Sequence, residues 1–300
     1  MNKKPLVTVI CICFNHQEFV IETINSVLNQ SYSNIEIIIV DDCSSDDSIS
    51  VITTFLKDYP KITFIKNKKN YGITKSFNLA VEKANGLFLV DLACDDILLP
   101  NCIEIQTNTF LNSDLNLTGI VFGNSENIDK NGKYISDYFE TNSEKKVLDK
   151  SLFQTNLNKL LKGGLVMNSV SAMINKSVFD KLNGYDETLI FEDLDFWIRV
   201  LEKYEIIFID KIISQKRFLK NSLGSHIENK NNLSNAIDDS MNKIYSKVIR
   251  KHKKNKTILK SVLKRIHNSI EISIRNKKMK SFLGYSLQKL KVHYFVLFAK

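Results

Sequence analysis

The chain has 300 residues, of which 43% are hydrophobic, and it carries a formal net charge of +9. This length and apolar content suit one large α/β domain or a domain with an appendage, and they exclude a chain that is disordered throughout. The five cysteines, an odd number without disulfide-like spacing, indicate a reducing cytosol, and no stretch approaches the roughly 20 apolar residues of a membrane-spanning helix.

The charge is divided unevenly along the chain. Residues 241–300 contain 17 lysines and arginines and a single acid, Glu271, so this segment carries +16, whereas residues 1–240 carry −7. The division predicts two surfaces with different partners. We expect a globular domain over residues 1–225 and a basic helical region over residues 226–300.

Strands and helices alternate in the first hundred residues. Apolar runs predict strands at 7–14, 35–40, 62–65 and 87–92, and amphipathic stretches predict helices at 17–30, after Ser44-Ser45, and at 74–83. Ser44 or Ser45 is expected to cap the second helix, with Asp46 and Asp47 in its first turn. This order is typical of a parallel sheet with right-handed crossovers.

The order of elements changes after residue 96. The patterns predict helices at 100–111, 150–161 and 177–182, strands near 120–123, 171–174 and 206–209, and a hairpin-like turn around 129–132. Another helix begins at Glu192-Asp193, and the last sixty residues are expected to be helical. The fold class is therefore α/β, a mostly parallel sheet flanked by helices with a C-terminal helical appendage.

Pairs of acids follow two of the predicted strands. Asp41 and Asp42 come after the second strand, and Asp95 and Asp96 come after the fourth. Because open α/β sheets bind ligands just past the carboxyl ends of their strands, we expect these acids to form the floor of an active site. The alternative for each pair is that it only forms a turn or caps the helix that follows.

Four blocks of the sequence, in this order, resemble those of family 2 glycosyltransferases with the GT-A nucleotide-sugar fold. They are TVICICFNHQEFVIETINSVLNQSYSNIEIIIVDDCSSDD, NYGITKSFNLAVEKANG, LACDDILLP and NGYDETLIFEDLDFWIRV, and the resemblance covers about residues 6–223. It implies an inverting enzyme that moves a sugar from a UDP-sugar to a growing surface glycan such as a capsule or O-antigen. The basic C-terminal segment with its aromatic residues suggests that this acceptor is lipid-linked. The donor half would be about residues 1–100 and the acceptor half about 101–225.

The resemblance also implies how the donor is held. Asp95 matches the family's metal ligand for Mn²⁺ or Mg²⁺, and Asp96 would fix its geometry or reach the substrate. The first acid of the family's motif is replaced by Ala93. Asp42 would accept a hydrogen bond from the nucleotide base, and Asp41 would be structural or contact the ribose.

Further donor contacts are implied around the base and the diphosphate. The Phe14-Asn15 turn resembles the family's base-stacking loop. Lys75, Arg217 and Lys220 are the cations expected near the diphosphate. Lys220 stands where some members have a metal-binding histidine, and Lys75 is equally compatible with an exposed helix face.

An inverting transfer needs a general base on the acceptor side. By resemblance Asp193 is that base, with Glu192 beside it; the alternative is that both acids only interact favourably with the positive end of the helix dipole. Gly163, Gly164 and Met167 are expected to line the acceptor path.

The basic C-terminal region has two main interpretations. It is either a helical appendage packed on the core or a contact with an anionic membrane surface; nucleic acid is not expected as a partner because no recognition module is present. The second interpretation places the protein in the cytoplasm, peripheral at the inner face of the plasma membrane. The rival functions are a non-catalytic GT-A-fold binding protein and a nucleotidyltransferase, which would normally show a glycine-rich phosphate loop after the first strand.

Overall fold

The computed structural model describes residues 4–163, 168–190, 192–219 and 232–298. These residues form two compact units. The first contains residues 4–154, 168–185 and 203–218, and the second contains the described residues of 155–163, 186–202 and 219–298. The predicted domain boundary at about residue 225 lies outside the described residues and stays a prediction.

The first unit contains every strand of the described chain and five of its helices. The strands are β1 (Val7–Cys13), β2 (Ile35–Asp41), β3 (Thr63–Lys66), β4 (Phe88–Ala93), β5 (Ile97–Leu98), β6 (Thr118–Ile128), β7 (Tyr134–Asp137), β8 (Ala172–Asn175) and β9 (Glu205–Arg217). The helices of this unit are α1 (Val20–Leu28), α2 (Ser48–Phe55), α3 (Ile73–Val81), α4 (Cys102–Leu111) and α6 (Lys176–Lys181). The second unit contains α5 (Leu157–Leu161), α7 (Glu192–Leu201), α8 (Asn232–Lys251), α9 (Lys256–Arg275) and α10 (Met279–Phe298).

The nine strands form one sheet in the order β3-β2-β1-β4-β8-β6-β9-β5, with β7 paired to β6. The half made of β3, β2, β1 and β4 is parallel, as the alternation of strands and helices predicts. In the other half β8 runs antiparallel to both β4 and β6, while β6 and β9 are parallel. All seven residues of β1 are buried, because helices cover both faces of a parallel sheet and its central strands must be apolar throughout.

The parallel half places several turns at one edge. Because β2, β1 and β4 are adjacent and run in the same direction, the segments that follow them leave the sheet at the same end. Two main-chain bonds hold these exits together: Cys94 N donates to Ile12 O at 2.9 Å, and Asp42 N donates to Cys13 O at 2.8 Å. The edge therefore gathers residues 14–19, 42–47 and 94–96.

Two expected helices differ from their sequence patterns. The prediction that Ser44 or Ser45 caps α2 is wrong, because α2 begins at Ser48 with Asp47 in the N-cap position. The Ser44 hydroxyl instead donates to Asp41 Oδ2 at 2.6 Å. The single helix expected over 150–161 is a 3₁₀ turn, Lys150–Gln154, followed by α5, because Asn156 Oδ1 accepts from Lys159 N at 3.0 Å and starts a new helix there.

Two strands extend beyond their apolar runs. β6 and β9 pair along most of their lengths, so β9 continues to Arg217 although its apolar pattern predicts only 206–209. The short strand β5, which lies inside the stretch expected to lead directly into the next helix, pairs with β9. Both additions come from pairing between distant segments, which local periodicity does not contain.

The second unit is helical, and partly buried polar contacts tie its segments together. Lys247 of α8 forms ion pairs with Asp186 and with Asp195 of α7, the latter at 2.8 Å. Tyr285 of α10 donates to Asp238 Oδ1 of α8 at 2.8 Å. Among the described helices none is long and apolar enough to cross a membrane.

Candidate functional site

The turn after β4 carries the two acids expected at the centre of the site. Asp95 and Asp96 are each 8% exposed. Asp96 N closes the turn on Ala93 O at 3.0 Å, and the Asp96 carbonyl accepts a hydrogen bond from the Thr23 hydroxyl at 2.8 Å. The acids are therefore held on a defined turn between the end of β4 and helix α1.

Arg217, the last residue of β9, fixes the same turn from the other side. Its Nε donates to Asp95 O at 2.9 Å, and its main-chain N donates to Asp96 Oδ1 at 2.8 Å. Nη2 pairs with Glu22 at 2.6 Å, and the guanidinium lies over the Phe19 ring, 4.8 Å from its centroid. Since all these groups belong to the protein, the geometry gives Arg217 a structural task; its expected contact with a diphosphate stays a prediction.

Asp96 has an unusual ionisation equilibrium. Burial and the charge of Asp95 raise the pKa of Asp96 to about 8, although the bond from Arg217 N and the nearby cations oppose this shift. This shift favours the protonated form of the Asp96 carboxyl. Of the two possibilities for Asp96, fixing the geometry is the one its contact with Arg217 supports.

The carboxylate of Asp95 faces an imidazole. His16, in the segment that follows β1, places Nε2 at 3.8 Å from Asp95 Oδ2. The side chains of His16 and Asp95 are 20% and 12% exposed. The sequence patterns single out Asn15 in this segment but not His16, because nothing local shows that it meets the β4 turn.

The acids after β2 form the second part of the site. Asp42 is 2% exposed, and its Oδ1 accepts from Asn67 Nδ2, Tyr71 N and the Ser76 hydroxyl at 2.8 to 2.9 Å. Its Oδ2 accepts from Gly72 N at 2.8 Å. Asp42 thus orders the loop 67–76, and the predicted bond to a nucleotide base would fall to Oδ2, the oxygen with fewer of these bonds.

Asp41 stabilises the tight turn that follows it. Its Oδ1 accepts from Ser44 N at 2.9 Å, and it is fully buried. This contact supports the structural alternative given above for Asp41. Asn15 contacts this turn, because its Oδ1 accepts a hydrogen bond from Ser45 N at 2.7 Å. The main chain of Asn15 is in the left-handed region, with φ of 58°.

Phe14 and Lys75 present exposed or half-exposed groups beside these turns. The Phe14 side chain is 42% exposed although it directly follows the buried strand β1, as a base-stacking residue requires. Lys75 Nζ lies 5.6 Å from the centroid of the Tyr71 ring, in the loop that Asp42 orders. Both remain candidates for contact with a nucleotide.

The predicted base lies in the second unit. Glu192 and Asp193 begin α7, as the sequence predicts, and Asp193 Oδ1 accepts from Leu194 N at 2.6 Å. A carboxylate in the first turn of a helix is stabilised in its charged form by the helix dipole. Gly163 follows α5 with φ of 81°, a conformation that favours glycine.

The described residues offer a metal ion few ligands. They contain no group of three or more histidine, cysteine or acidic side chains that could hold one. One or two protein ligands suffice for Mg²⁺ or Mn²⁺ when substrate phosphates and water complete the coordination. Asp95, with His16 facing it, fits a site of that kind.

The comparison with known families decides the identity. The family model of glycosyl transferase family 2 matches residues 8–182, more than half of the chain. The chain belongs to this family. An uncharacterized glycosyltransferase of Rickettsia bellii is 30% identical over 248 residues, which are 82% of this chain and 34% of the relative. An uncharacterized glycosyltransferase of Methanocaldococcus jannaschii is 30% identical over 257 residues, which are 78% of this chain and 83% of the relative.

Solved structures share the fold of this chain. S. aureus TarS, residues 1–349, in complex with UDP-GlcNAc has a TM-score of 0.70 over 97% of this chain and 81% of its own, at 14% identity. The mannosyltransferase PcManGT of Pyrobaculum calidifontis in complex with GDP-Man and Mn²⁺ has a TM-score of 0.59 over 100% of this chain and 89% of its own, also at 14% identity. The fold is GT-A, as expected. The chain spans about a third of the length of the R. bellii relative and of a second relative, from Rickettsia felis.

The structure brings most of the predicted donor-site residues to one edge of the sheet. Asp41, Asp42, Asp95, Asp96 and Phe14 all lie at or just beyond the ends of β1, β2 and β4. Three predicted residues lie outside the described residues: Gly164, Met167 and Lys220. The sequence patterns do not indicate three further residues of the site: His16, which faces Asp95, Glu22, which pairs with Arg217, and Thr23, which donates to the Asp96 carbonyl.

Proposed function

We propose that this glycosyltransferase moves a sugar from a nucleotide-sugar donor, a UDP-sugar, to an acceptor hydroxyl with inversion at the anomeric carbon. The observation that carries the proposal is the arrangement at the end of β4, where Asp95 and Asp96 are held by Arg217 and Thr23 beside the exits of β1 and β2. The complexes of TarS with UDP-GlcNAc and of PcManGT with GDP-Man support a donor of this class.

The residues divide the reaction between them. Asp42 and Phe14 bind the base. Asp95 would hold the divalent cation, Mn²⁺ or Mg²⁺, which when bound would supply positive charge to the leaving diphosphate. The acceptor oxygen attacks the anomeric carbon from the face opposite the diphosphate while Asp193 takes its proton. The bond between the anomeric carbon and the diphosphate oxygen breaks, and the nucleoside diphosphate leaves with the bonding electrons.

Titration calorimetry with UDP and MnCl₂ tests the donor site. We expect UDP binding that requires Mn²⁺ and is lost in Asp95→Asn, because the amide cannot replace the carboxylate's charge. Binding of UDP that is the same in Asp95→Asn would contradict the proposed site. A panel of UDP-sugars screened for hydrolysis would then identify the donor.

A second experiment tests the base. Asp193→Asn should lower transfer about 10²- to 10⁴-fold without changing UDP affinity, since general bases contribute rate factors of that size. Asp180→Asn, which removes a surface acid paired with Lys176, is the matched control. Undiminished transfer in Asp193→Asn would remove this residue from the mechanism.

We further propose that α10 lies on an anionic lipid surface, where a lipid-linked surface glycan precursor would be the acceptor. One face of α10 is buried through Ser281, Tyr285, Gln288 and Val292. The opposite face exposes large apolar side chains at intervals of three or four residues: Met279, Leu283, Leu287, Leu290, Tyr294 and Leu297, each at least 53% exposed. The charge of +16 on residues 241–300 complements anionic lipid, at about 1 kcal/mol per cation near the surface.

Vesicle sedimentation tests the lipid surface. The protein should bind phosphatidylglycerol vesicles and not phosphatidylcholine vesicles, and Leu283→Glu/Leu290→Glu should abolish this binding. Leu117→Glu, at a 49% exposed leucine of the first unit, is the control. If the double variant still binds, or if it only converts a dimer to a monomer, α10 does not contact lipid and its apolar face serves a protein partner.

A further inference from the structure

His16 is rigidly placed by the segment that carries it. Its main-chain N donates to the Ser48 hydroxyl at 3.1 Å, and its carbonyl accepts from Phe19 N and Val20 N, both at 2.9 Å. Asn15 before it is fixed to the turn 44–45. The backbone of His16 therefore cannot move far from the β4 turn without breaking several bonds.

The imidazole is directed at Asp95 and at no other polar partner among the described side chains. Nε2 lies 3.8 Å from Asp95 Oδ2, which is too long for a direct hydrogen bond. Nδ1 is buried and has no hydrogen-bond partner in the described structure. A ring that no other polar group orients, facing a carboxylate across a gap, is an arrangement that a third group between them would complete.

A divalent cation fits this gap in size and in chemistry. Two metal–ligand bonds of about 2.1 Å each span up to about 4.2 Å, so both atoms can reach one ion from nearly their present positions. Carboxylate oxygen and imidazole nitrogen are both established metal ligands in proteins. The ion would sit at the edge of the sheet where the proposed donor diphosphate binds.

The sequence at the end of β4 also favours a metal ligand from the segment that follows β1. Ala93, the last residue of β4, has only a methyl group where the family's motif has its first acid, so the turn after β4 supplies only the carboxylates of Asp95 and Asp96. The Asp91 carboxyl, earlier in β4, accepts a hydrogen bond from the Tyr185 hydroxyl at 3.3 Å. Ala93 pairs with Ile12 of β1 in the sheet, four residues before His16. The neighbouring strand is therefore close enough to replace the missing ligand.

We propose that His16 is the second protein ligand of the divalent cation and that its nitrogen makes the site prefer Mn²⁺ to Mg²⁺. This inference rests on the proposed metal-dependent function. Mg²⁺ favours an all-oxygen shell, whereas affinity for nitrogen ligands rises along the transition series from Mn²⁺ onward. Removal of the imidazole should therefore weaken Mn²⁺ binding more than Mg²⁺ binding.

Electron paramagnetic resonance of the full chain with MnCl₂ and UDP tests the ligand directly. The bound Mn²⁺ should show a ¹⁴N coupling from a directly attached imidazole, and His16→Gln should lose this coupling. The Mn²⁺ affinity should fall at least about tenfold, since even changes outside the ligand shell typically cost 10- to 100-fold. The Mg²⁺ affinity, from competition with Mn²⁺, should change less.

Matched variants separate the possible outcomes. His226→Gln removes a histidine outside the described residues, and His293→Gln removes one on the exposed face of α10; both should keep the ¹⁴N coupling. Mn²⁺ that binds through Asp95 but shows no ¹⁴N coupling, or an unchanged affinity in His16→Gln, would overturn this inference and leave the proposed function intact. Mn²⁺ binding that does not depend on Asp95 would overturn both. Thermal unfolding of each variant confirms that it folds.

Discussion

Arg217→Lys tests whether a buried guanidinium holds the β4 turn. Arg217 is 3% exposed, and its side chain donates to the carbonyls of Asp95, Asp129 and Lys130 and to the Glu22 carboxylate. Lysine keeps the charge and the main-chain bond to Asp96 but has one nitrogen in place of three. A hydrogen bond to a charged group contributes about 1.5–3 kcal/mol, and lysine can keep one or two of the four, so two or three are lost. We therefore expect the free energy of unfolding to fall by at least about 3 kcal/mol.

Urea unfolding of the nucleotide-free protein, followed by circular dichroism, measures this loss. Glu22→Gln is the control: the Glu22 side chain is 54% exposed, so the change should cost no more than about 1 kcal/mol. Arg217 either holds the β4 turn or contacts the donor diphosphate. Unfolding without nucleotide separates these two roles, because a contact with a diphosphate cannot stabilise a protein to which no diphosphate is bound. A loss below about 1 kcal/mol in Arg217→Lys would refute the structural argument and favour direct contact with the donor.

Two further predictions concern stability. Burial would raise the pKa of Asp186, but hydrogen bonds from Lys247 and Thr188 outweigh it and lower the pKa to about 2. Asp186→Asn should therefore reduce the free energy of unfolding by about 2 kcal/mol at pH 7. The difference from wild type should shrink as the pH falls from about 4 through 2, because the unfolded carboxyl is protonated first and the folded one only as the pH passes below its own pKa of about 2. A difference independent of pH would exclude the ion pair as its cause. Gly86→Ala should lower the thermal midpoint and reduce the free energy of unfolding by about 1–3 kcal/mol, because the alanine Cβ would lie 2.5 Å from Thr8 N. An unchanged midpoint would show that the chain segments move apart easily at this point.

The parallel half of the sheet could be predicted because its information is local. Each of β1, β2 and β4 is an apolar run that ends at polar residues, and a buried parallel strand must have that composition. The position of Asp42 and Asp95 at one edge follows from the direction of the strands alone. No knowledge of side-chain contacts is needed for that step.

The contacts within the site could not be predicted in the same way. Arg217 and Glu22 are 195 residues apart in sequence, and His16 and Asp95 meet only because β1 and β4 are neighbours in the sheet. Ser44 shows the opposite error, since its hydroxyl suits a helix cap but finds a closer acceptor in Asp41. Local propensity is a weak guide wherever a tertiary partner competes for the same group.

The two acids of the β4 turn use different atoms for structure. Asp96 accepts the Arg217 main-chain N–H with its side chain, and its raised pKa shows that this buried group is poorly suited to carry charge. Asp95 accepts the guanidinium with its main-chain carbonyl, so its carboxylate faces the His16 imidazole and is not needed to hold the turn. The Asp95 carboxylate, on a turn fixed by its neighbours, would therefore suit the divalent cation proposed above. Arg217 holds this turn through the Asp95 carbonyl and the Asp96 carboxyl, so the placement of the Asp95 carboxylate does not depend on an acid at the position of Ala93.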